Sequence, residues 1–172
     1  MNNILITGRP GIGKTTLIRR LIDKLIPDAG GFYTEQIIAG GGRTGFAIRD
    51  LEGKEETLSH TGIRSHTKVG KYYVNLPGFE AIALPALRNA LSQKKFIVID
   101  EIGPMEECSA PFRGLLCQCL DSQKTVIATI KERGSNFVQK IKDRQDCVIF
   151  HLDVENRNKL LDEILNALAP IS

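Results

Sequence analysis

Short apolar runs and amphipathic stretches alternate along most of the chain. Runs rich in Ile and Val predict four strands, at Asn3–Thr7, Phe96–Asp100, Thr125–Thr129 and Cys147–Leu152. Their apolar character is nearly continuous, which is typical of strands that are buried on both faces in a parallel sheet. The pattern therefore predicts a three-layer α/β fold, with helices on both faces of a mostly parallel sheet.

Apolar residues at helical spacing predict the helices that cover this sheet. One stripe stops at Pro27 and consists of Ile18, Leu21, Ile22, Leu25 and Ile26. A second stripe near the C-terminus consists of Leu160, Leu161, Ile164, Leu165 and Leu168. Further helices are expected at 84–91, 112–120 and 137–141. Pro85 should start or kink its helix, because it has no N–H to donate to the preceding turn.

The segment 31–59 has a different pattern. Apolar stretches at 31–38 and 44–48 flank the glycine-rich turn 40–43, and a turn at Glu52-Gly53 precedes a possible strand at 55–59. Strand-like runs separated by such turns predict an antiparallel meander, which we place at the edge of the sheet.

The stretch 59–71 shows no clear period, and we expect it to be a surface loop. Its basic residues are His60, Arg64, His66, Lys68 and Lys71. Charge on a solvated loop explains them, and contact with a phosphate group is the alternative.

Length and composition fit one globular domain that spans 1–172 and contains the 31–59 meander. The 172 residues can close a single core, and 42% hydrophobic and 25% charged residues are ordinary values. A net charge of +3 does not indicate a nucleic acid or an anionic membrane as partner, although it suits a small polyanion. The N-terminus lacks the features of a secretory signal, so we expect a cytoplasmic protein, and we expect a monomer.

The four cysteines, Cys108, Cys117, Cys119 and Cys147, lack the paired CxxC spacing of a zinc site. Cys117 and Cys119 fall in a helical pattern, where residues two apart point to different faces. We therefore expect reduced thiols that serve partly as small hydrophobic side chains.

A glycine-rich segment between the first strand and the first helix matches the phosphate-binding pattern GxxxxGK[ST]. It consists of Gly8, Arg9, Pro10, Gly11, Ile12, Gly13, Lys14 and Thr15, and Thr16 follows it. Glycines let successive N–H groups turn inward around an anion, and the helix N-terminus adds free N–H groups. Lys14 can place its ammonium between β- and γ-phosphates, and the hydroxyl of Thr15 can bind Mg²⁺.

A second candidate element is the apolar run at Phe96, Ile97, Val98 and Ile99 that ends in Asp100 and Glu101. Buried strands present their last side chains at the carboxyl edge of a sheet, where ligands of open α/β folds bind. Asp100 is expected to hold Mg²⁺, and Glu101 to orient and polarise the attacking water. Residues 100–103 also fit the DxxG pattern of switch GTPases, but the chain has no NKxD segment to read guanine.

A threonine and an arginine are further candidates for the chemistry. Thr129 ends the strand that begins at Thr125 and could sense the γ-phosphate, although a hydroxyl that caps the strand end is an equal alternative. An arginine that neutralises transition-state charge could be Arg113, Arg133, Arg144 or Arg157, or could come from another subunit. Their spacing does not choose among them.

With these residues in view, the chain resembles the small nucleoside-triphosphatase family first described in thermophiles, which has a vertebrate cancer-related member. The likeness runs through the glycine-rich loop and Thr16, Gly31–Glu35, Arg43–Phe46, Val69–Tyr72, Asp100–Glu106 and Glu155–Arg157. It implies a RecA-like parallel sheet, slow Mg²⁺-dependent hydrolysis of several nucleoside triphosphates, and a nucleotide site lined by residues 97–103, including Ile102 and Gly103.

The resemblance also marks two positions after the acidic pair. Many members of the family carry Lys where this chain has Pro104. Glu106 matches a second acidic residue of the family, and it could activate water or cap the next helix.

The sequence thus predicts an enzyme that hydrolyses ATP, GTP, CTP or UTP to the diphosphate and phosphate with Mg²⁺. In RecA-like order the strand 125–129 lies between the strands of the glycine-rich loop and the acidic pair, which leaves room for water at the γ-phosphate. A nucleoside or nucleotide kinase, with an acceptor pocket walled by the 31–59 meander, is one alternative. A nucleotide-dependent switch or assembly factor is the other.

Overall fold

A computed structural model describes residues 3–169, so the expectation drawn from Met1 and Asn2 lies outside the described residues. The strands are β1 (Asn3–Thr7), β2 (Ala29–Ala39), β3 (Gly42–Asp50), β4 (Glu55–His60), β5 (Lys68–Val69), β6 (Tyr72–Val74), β7 (Phe96–Ile102), β8 (Thr125–Ile130) and β9 (Cys147–His151). The helices are α1 (Lys14–Leu25), α2 (Leu76–Gln93), α3 (Ala110–Leu120), α4 (Asn136–Lys142) and α5 (Leu160–Leu168), with a 3₁₀ turn at Glu106–Cys108.

The strands form one mixed sheet in the order β5-β6-β4-β3-β2-β7-β8-β1-β9. Its half from β2 to β9 is parallel, as its near-continuous apolar strands predict. The strand β8 lies between β1 and β7, with Ile4 opposite Ile127 and Val98 opposite Ile127 in register. This order confirms the expected insertion of the 125–129 strand between the other two.

The remaining strands form the antiparallel meander at the edge of the sheet. Strand β2 joins the two halves, because residues 29–32 pair with β7 and residues 32–39 pair with β3. The predicted turn is present but is confined to 40–41, because Gly42 and Arg43 already pair in β3, and the predicted strand at 55–59 is β4. The prediction of a loop at 59–71 was partly wrong, since β4 runs to His60 and the short strand β5 lies within that range. Strand β6 follows the range directly, pairs with β5 and extends the meander. The short apolar stretch at 72–74 pairs across to β4, a contact that local periodicity does not reveal.

Helices cover both faces of the parallel half. On one face, α1 and α5 pack with Ile4, Ile6 and Val98 of the sheet. On the other face, α2, α3 and α4 pack around Leu5, Ile97 and Ile99, and the rings of Phe32, Phe79 and Phe112 meet edge to face. Alternate residues of β1, β7 and β8 therefore supply two separate cores, which is the three-layer arrangement predicted from the sequence. The prediction of burial on both faces was wrong for β9, because it lies at the edge of the sheet and leaves Val148 and Ile149 40% and 43% exposed.

Helix α2 is longer than the predicted 84–91. Asn75 caps its first turn, and its side chain accepts a hydrogen bond of 3.2 Å from the N–H of Gly78. Pro85 lies inside the helix, so the expectation that it could start the helix was wrong. Two features of the sequence mark the true start, namely Asn75 as the N-cap and a proline in the first turn.

The cysteines of the described residues are free thiols, and Cys119 packs in the core, as expected of a small hydrophobic side chain. Across residues 3–169, no group of three or more His, Cys, Asp or Glu side chains is arranged to hold a metal ion by itself. No helix within that range is both long enough and apolar enough to cross a membrane.

Candidate active site

The loop between β1 and α1 depends on its glycines. Gly11 and Gly13 have φ values of 76° and 110°, in the left-handed region that residues with a Cβ resist. A Cβ on Gly8 would lie 2.5 Å from the carbonyl oxygen of Leu152, the residue that follows β9. The close approach to the neighbouring strand and the two left-handed turns together fix the path of this loop.

Lys14 is the first residue of α1, and its side chain folds back over the loop. Its ammonium donates hydrogen bonds to the carbonyl oxygens of Gly8, at 2.8 Å, and Arg9, at 3.3 Å. The charge is therefore held above the loop at the N-terminus of the helix, where the helix dipole also favours an anion.

Asp100 connects this loop to β7. Its Oδ2 accepts a hydrogen bond of 2.8 Å from the hydroxyl of Thr15, and its Oδ1 accepts one from the buried hydroxyl of Thr129. Asp100 is only 2% exposed, and this burial raises the pKa of its carboxyl group to about 6 despite the two hydroxyl donors. Three neighbouring parallel strands, β1, β8 and β7, thus bring the hydroxyls and the carboxylate to one point.

Glu101 and Glu106 lie beside Asp100. The ammonium of Lys131, which follows β8, lies 3.7 Å from Oε1 of the half-buried Glu101. Glu106 is buried, and desolvation together with the neighbouring charge of Glu101 raises its pKa well above the ordinary value. A Cβ on Gly103 would lie 2.8 Å from Oε1 of Glu101 and 3.2 Å from Oε2 of Glu106, so this glycine leaves room for both carboxyl groups.

A cavity of about 560 Å³ opens onto these groups, a volume typical of small-molecule sites. Its first wall is the loop and the start of α1, with Pro10, Gly11, Gly13, Lys14, Thr15 and Thr16. Its second wall follows β7 and β8, with Asp100, Glu101, Pro104, Met105, Glu106 and Lys131. Its third wall comes from the meander, with Thr34, Gln36, Arg43, Phe46, Leu58, Val69, Gly70 and Tyr72.

The third wall carries the site residues that sequence reasoning missed. Arg43 lies over the rings of Phe46 and Tyr72, 5.0 and 5.7 Å from the ring centroids, and its Nε donates a 2.8 Å hydrogen bond to the Tyr72 hydroxyl. This hydrogen bond lowers the pKa of Tyr72. Arg43, Phe46 and Tyr72 lie within segments that carry the family likeness. That likeness is the signal that the sequence offers for them, and it assigns them no role.

Several predicted site residues do not line the cavity. The side chains of Ile97, Val98, Ile99 and Ile102 are buried in the two cores, and they position Asp100 from within β7. Gly8, Arg9, Ile12 and Gly103 adjoin the wall without forming it. Thr129 directs its hydroxyl to Asp100, so contact between Thr129 and a phosphate stays a prediction.

None of the four arginines considered for transition-state charge lines the cavity. Arg113 donates to the carbonyl of Glu107, and Arg144 forms ion pairs with Asp121 and Asp146. Arg133 and Arg157 are exposed. Lys131 is instead the cation that the structure brings next to Glu101, and it follows the strand that sequence reasoning placed correctly.

Comparison with known proteins gives consistent results. A family model described as NTPase matches residues 3–165. The chain is 52% identical to the nucleoside-triphosphatase THEP1 of Thermotoga sp. (strain RQ2) over 165 residues, 96% of this chain and 94% of that protein. It is 38% identical to the human cancer-related nucleoside-triphosphatase, over 96% of each chain.

Solved structures show the same fold. The crystal structure of THEP1 from Aquifex aeolicus superposes with a TM-score of 0.89 at 40% identity, covering 96% of this chain and 98% of that one. The solution structure of a human cancer-related nucleoside triphosphatase gives a TM-score of 0.85 at 35% identity over the whole of both chains. On these matches, together with the loop and the acidic residues at one cavity, the chain belongs to the NTPase family.

Proposed function

We propose that this protein hydrolyses nucleoside 5′-triphosphates, with Mg²⁺, to the diphosphate and phosphate. The observation that carries the proposal is the 2.8 Å hydrogen bond between the hydroxyl of Thr15 and Asp100. It joins the first helical turn after the glycine-rich loop to the acidic end of β7. A triphosphate tail in the loop would therefore have its terminal phosphate beside Asp100 and Glu101.

The residues at this point fit Mg²⁺. The hydroxyl of Thr15 and the carboxylate of Asp100 are hard oxygen donors, and Mg²⁺ in phosphoryl-transfer sites is held by one or two such groups together with substrate phosphates. Thr15 and Asp100 would hold the ion, and Thr129 would fix the second carboxylate oxygen. When bound, the ion supplies positive charge to the β- and γ-phosphate oxygens.

The remaining steps are assigned to the chain's own side chains. The N–H groups of the loop and the ammonium of Lys14 bind the β- and γ-phosphates and stabilise the charge that develops there. Glu101 orients a water molecule at the γ-phosphate and accepts its proton, while Lys131 holds the carboxylate on the cavity side. Glu106, whose raised pKa favours the protonated form, is less suited to accept that proton.

We propose broad tolerance of the base. The chain contains no NKxD segment that would read guanine. The groups that carry the chemistry contact only the triphosphate tail, which is the same in ATP, GTP, CTP and UTP.

A phosphate-release panel over these four nucleotides, with Mg²⁺ and with EDTA, tests the function. We expect release from all four that requires Mg²⁺. Asp100→Asn should lose most of it, whereas Asp23→Asn, at an exposed position of α1, should retain it. Release that continues in EDTA, or equal release by both variants, would contradict the proposal.

A further inference from the structure

The third wall of the cavity, which the meander forms, lies on the far side of the position proposed for the γ-phosphate. Strand β7, with its acidic pair, is two strands from β1, and β9 lies on the opposite side of β1. A triphosphate in the loop after β1 whose γ end faces β7 must carry its nucleoside away from β7. The wall formed by β2–β6 therefore lies beyond the γ-phosphate, on the side from which a nucleophile would approach.

This wall combines cationic groups, which suit an anion, with the aromatic rings of Phe46 and Tyr72. The guanidinium of Arg43 donates one hydrogen bond, from Nε to the hydroxyl of Tyr72. In residues 3–169, no Asp or Glu side chain forms an ion pair with Arg43 or Lys71. The ammonium of Lys71, an exposed residue that adjoins the wall without lining the cavity, lies 5.3 Å from the centroid of the Tyr72 ring. Two cations without carboxylate partners therefore adjoin the ring of Tyr72, and a guanidinium is well suited to bind a phosphate through two N–H groups.

The same wall also offers apolar contact. Phe46 and Tyr72 meet edge to face with centroids 5.4 Å apart, and Leu58 and Val69 line the cavity beside them. Water alone requires neither an aromatic surface nor a second cationic group. A flat ring that carries a phosphate would use both, because the ring can pack against the half-buried Phe46 and the phosphate can pair with a guanidinium group. Tyr72 is only 6% exposed and supports Phe46 and Arg43 from behind.

We propose that this wall binds a nucleoside monophosphate, and that an oxygen of its phosphate attacks the γ-phosphate in place of water. The inference rests on the proposed function, because it uses the same triphosphate site. The attacking oxygen forms a new P–O bond to the γ-phosphorus, and the bond from that phosphorus to the β–γ bridging oxygen breaks. The products are two nucleoside diphosphates, and any proton on the attacking oxygen passes to Glu101.

Binding can be measured with the triphosphate site filled. The protein is saturated with Mg²⁺ and β,γ-imido-ATP, and AMP, GMP, CMP and UMP are titrated separately by calorimetry. At least one should bind, and Arg43→Gln should weaken its Kd by roughly ten-fold or more, since a charge-assisted pair is lost. Arg88→Gln, at an exposed position of α2, is the matched control and should bind as the parent does. Absence of binding by all four, or equal binding by Arg43→Gln and the parent, would overturn the proposal.

Transfer is measured with ATP labelled at the γ-phosphate and the monophosphate that binds. Label should appear in the new diphosphate, and Arg43→Gln should lower the ratio of transferred to released label by roughly ten-fold. Label that ends only as inorganic phosphate would overturn this inference and leave the hydrolase function standing. If ATP is not consumed at all, with or without a monophosphate, the proposed function itself fails.

Discussion

The hydroxyl of Thr15 lies 2.8 Å from Oδ2 of Asp100, although the two residues are 85 positions apart in the chain. Each residue ends up there for a local reason: Thr15 is in the first turn of α1, and Asp100 is near the carboxyl end of β7. Strand β8 between them supplies Thr129, which donates to the other carboxylate oxygen. The short distance between Thr15 and Asp100 therefore follows from the parallel order of β1, β8 and β7, and it places both residues at the proposed metal site.

Replacing Thr15 tests whether its hydroxyl belongs to that site. Thr15→Val keeps the shape of the side chain and removes the oxygen, so we expect the Mg²⁺ concentration for half-maximal activity to rise. We expect kcat/KM to fall by at least the roughly 10–100-fold that loss of an outer-shell partner of a metal site costs. Thr15→Ser keeps the oxygen and should stay near the parent. The measurement is phosphate release at a series of Mg²⁺ concentrations. If the valine and serine variants respond alike to Mg²⁺, the hydroxyl has no part in holding the ion.

Replacing Gly103 by alanine tests the placement of the acidic side chains without removing any charge. A Cβ there would lie 2.8 Å from Oε1 of Glu101, which must then move. We expect Gly103→Ala to lower kcat with little change in the KM for ATP, because the phosphate-binding loop is not touched. Displacement of a catalytic group by a fraction of an ångström to about 1 Å can cost up to roughly 100-fold in rate.

Gly114→Ala is the matched control for this variant. Gly114 lies in α3 with no atom within 4 Å of an added Cβ. The substitution should leave kcat unchanged and raise the free energy of unfolding by about 0.5–1 kcal/mol, since alanine is the better helix former. Equal kcat values for the two alanine variants would show that Gly103 does not position Glu101.

The sequence predicted the parallel half of the fold well because its information there is local. The strands at 3–7, 96–100 and 125–129 are continuous apolar runs, and the glycine-rich loop is a contiguous motif. Their place at one edge of the sheet then follows from the general rule for parallel strands. The structure brings Lys14, Thr15, Asp100 and Glu101 to one cavity in this way.

The third wall of the cavity could not be predicted by the same reasoning. Arg43 and Tyr72 are 29 positions apart, and their contact depends on the pairing of β3 with β4 and of β4 with β6. Residues of β5 and β6 gave no periodic signal, since strands of two and three residues are too short to show one. The burial of Glu106 could not be predicted from the sequence either, because it follows from the packing of the 3₁₀ turn Glu106–Cys108 against β7.

The stability of the protein should depend on pH through Asp146. Arg144 donates to both carboxylate oxygens, at 2.8 and 2.7 Å, and holds the pKa of Asp146 below its ordinary 3.8. A lowered folded-state pKa stabilises the fold above pH 3.8, and this contribution is lost as the pH falls through the folded-state value. The pair is partly exposed, so we expect Asp146→Asn to cost about 1 kcal/mol or less at pH 7.

Urea unfolding of the parent and Asp146→Asn between pH 7 and pH 3 measures this effect. The difference in the free energy of unfolding should be constant from pH 7 to about pH 5 and should shrink below pH 4. A difference that grows as the solution becomes more acidic would have the wrong sign for this ion pair.

The central claim is that Glu101 activates the water that attacks the γ-phosphate, and one experiment tests it most directly. Single-turnover hydrolysis and equilibrium binding of Mg²⁺–ATP are measured for Glu101→Gln beside Glu106→Gln, with Glu163→Gln on the exposed face of α5 as control. We predict that Glu101→Gln binds Mg²⁺–ATP about as well as the parent and hydrolyses it roughly 10²–10⁴-fold more slowly, the usual contribution of a general base. Hydrolysis by Glu101→Gln at the parent rate, or a comparable loss confined to Glu106→Gln, would contradict the account.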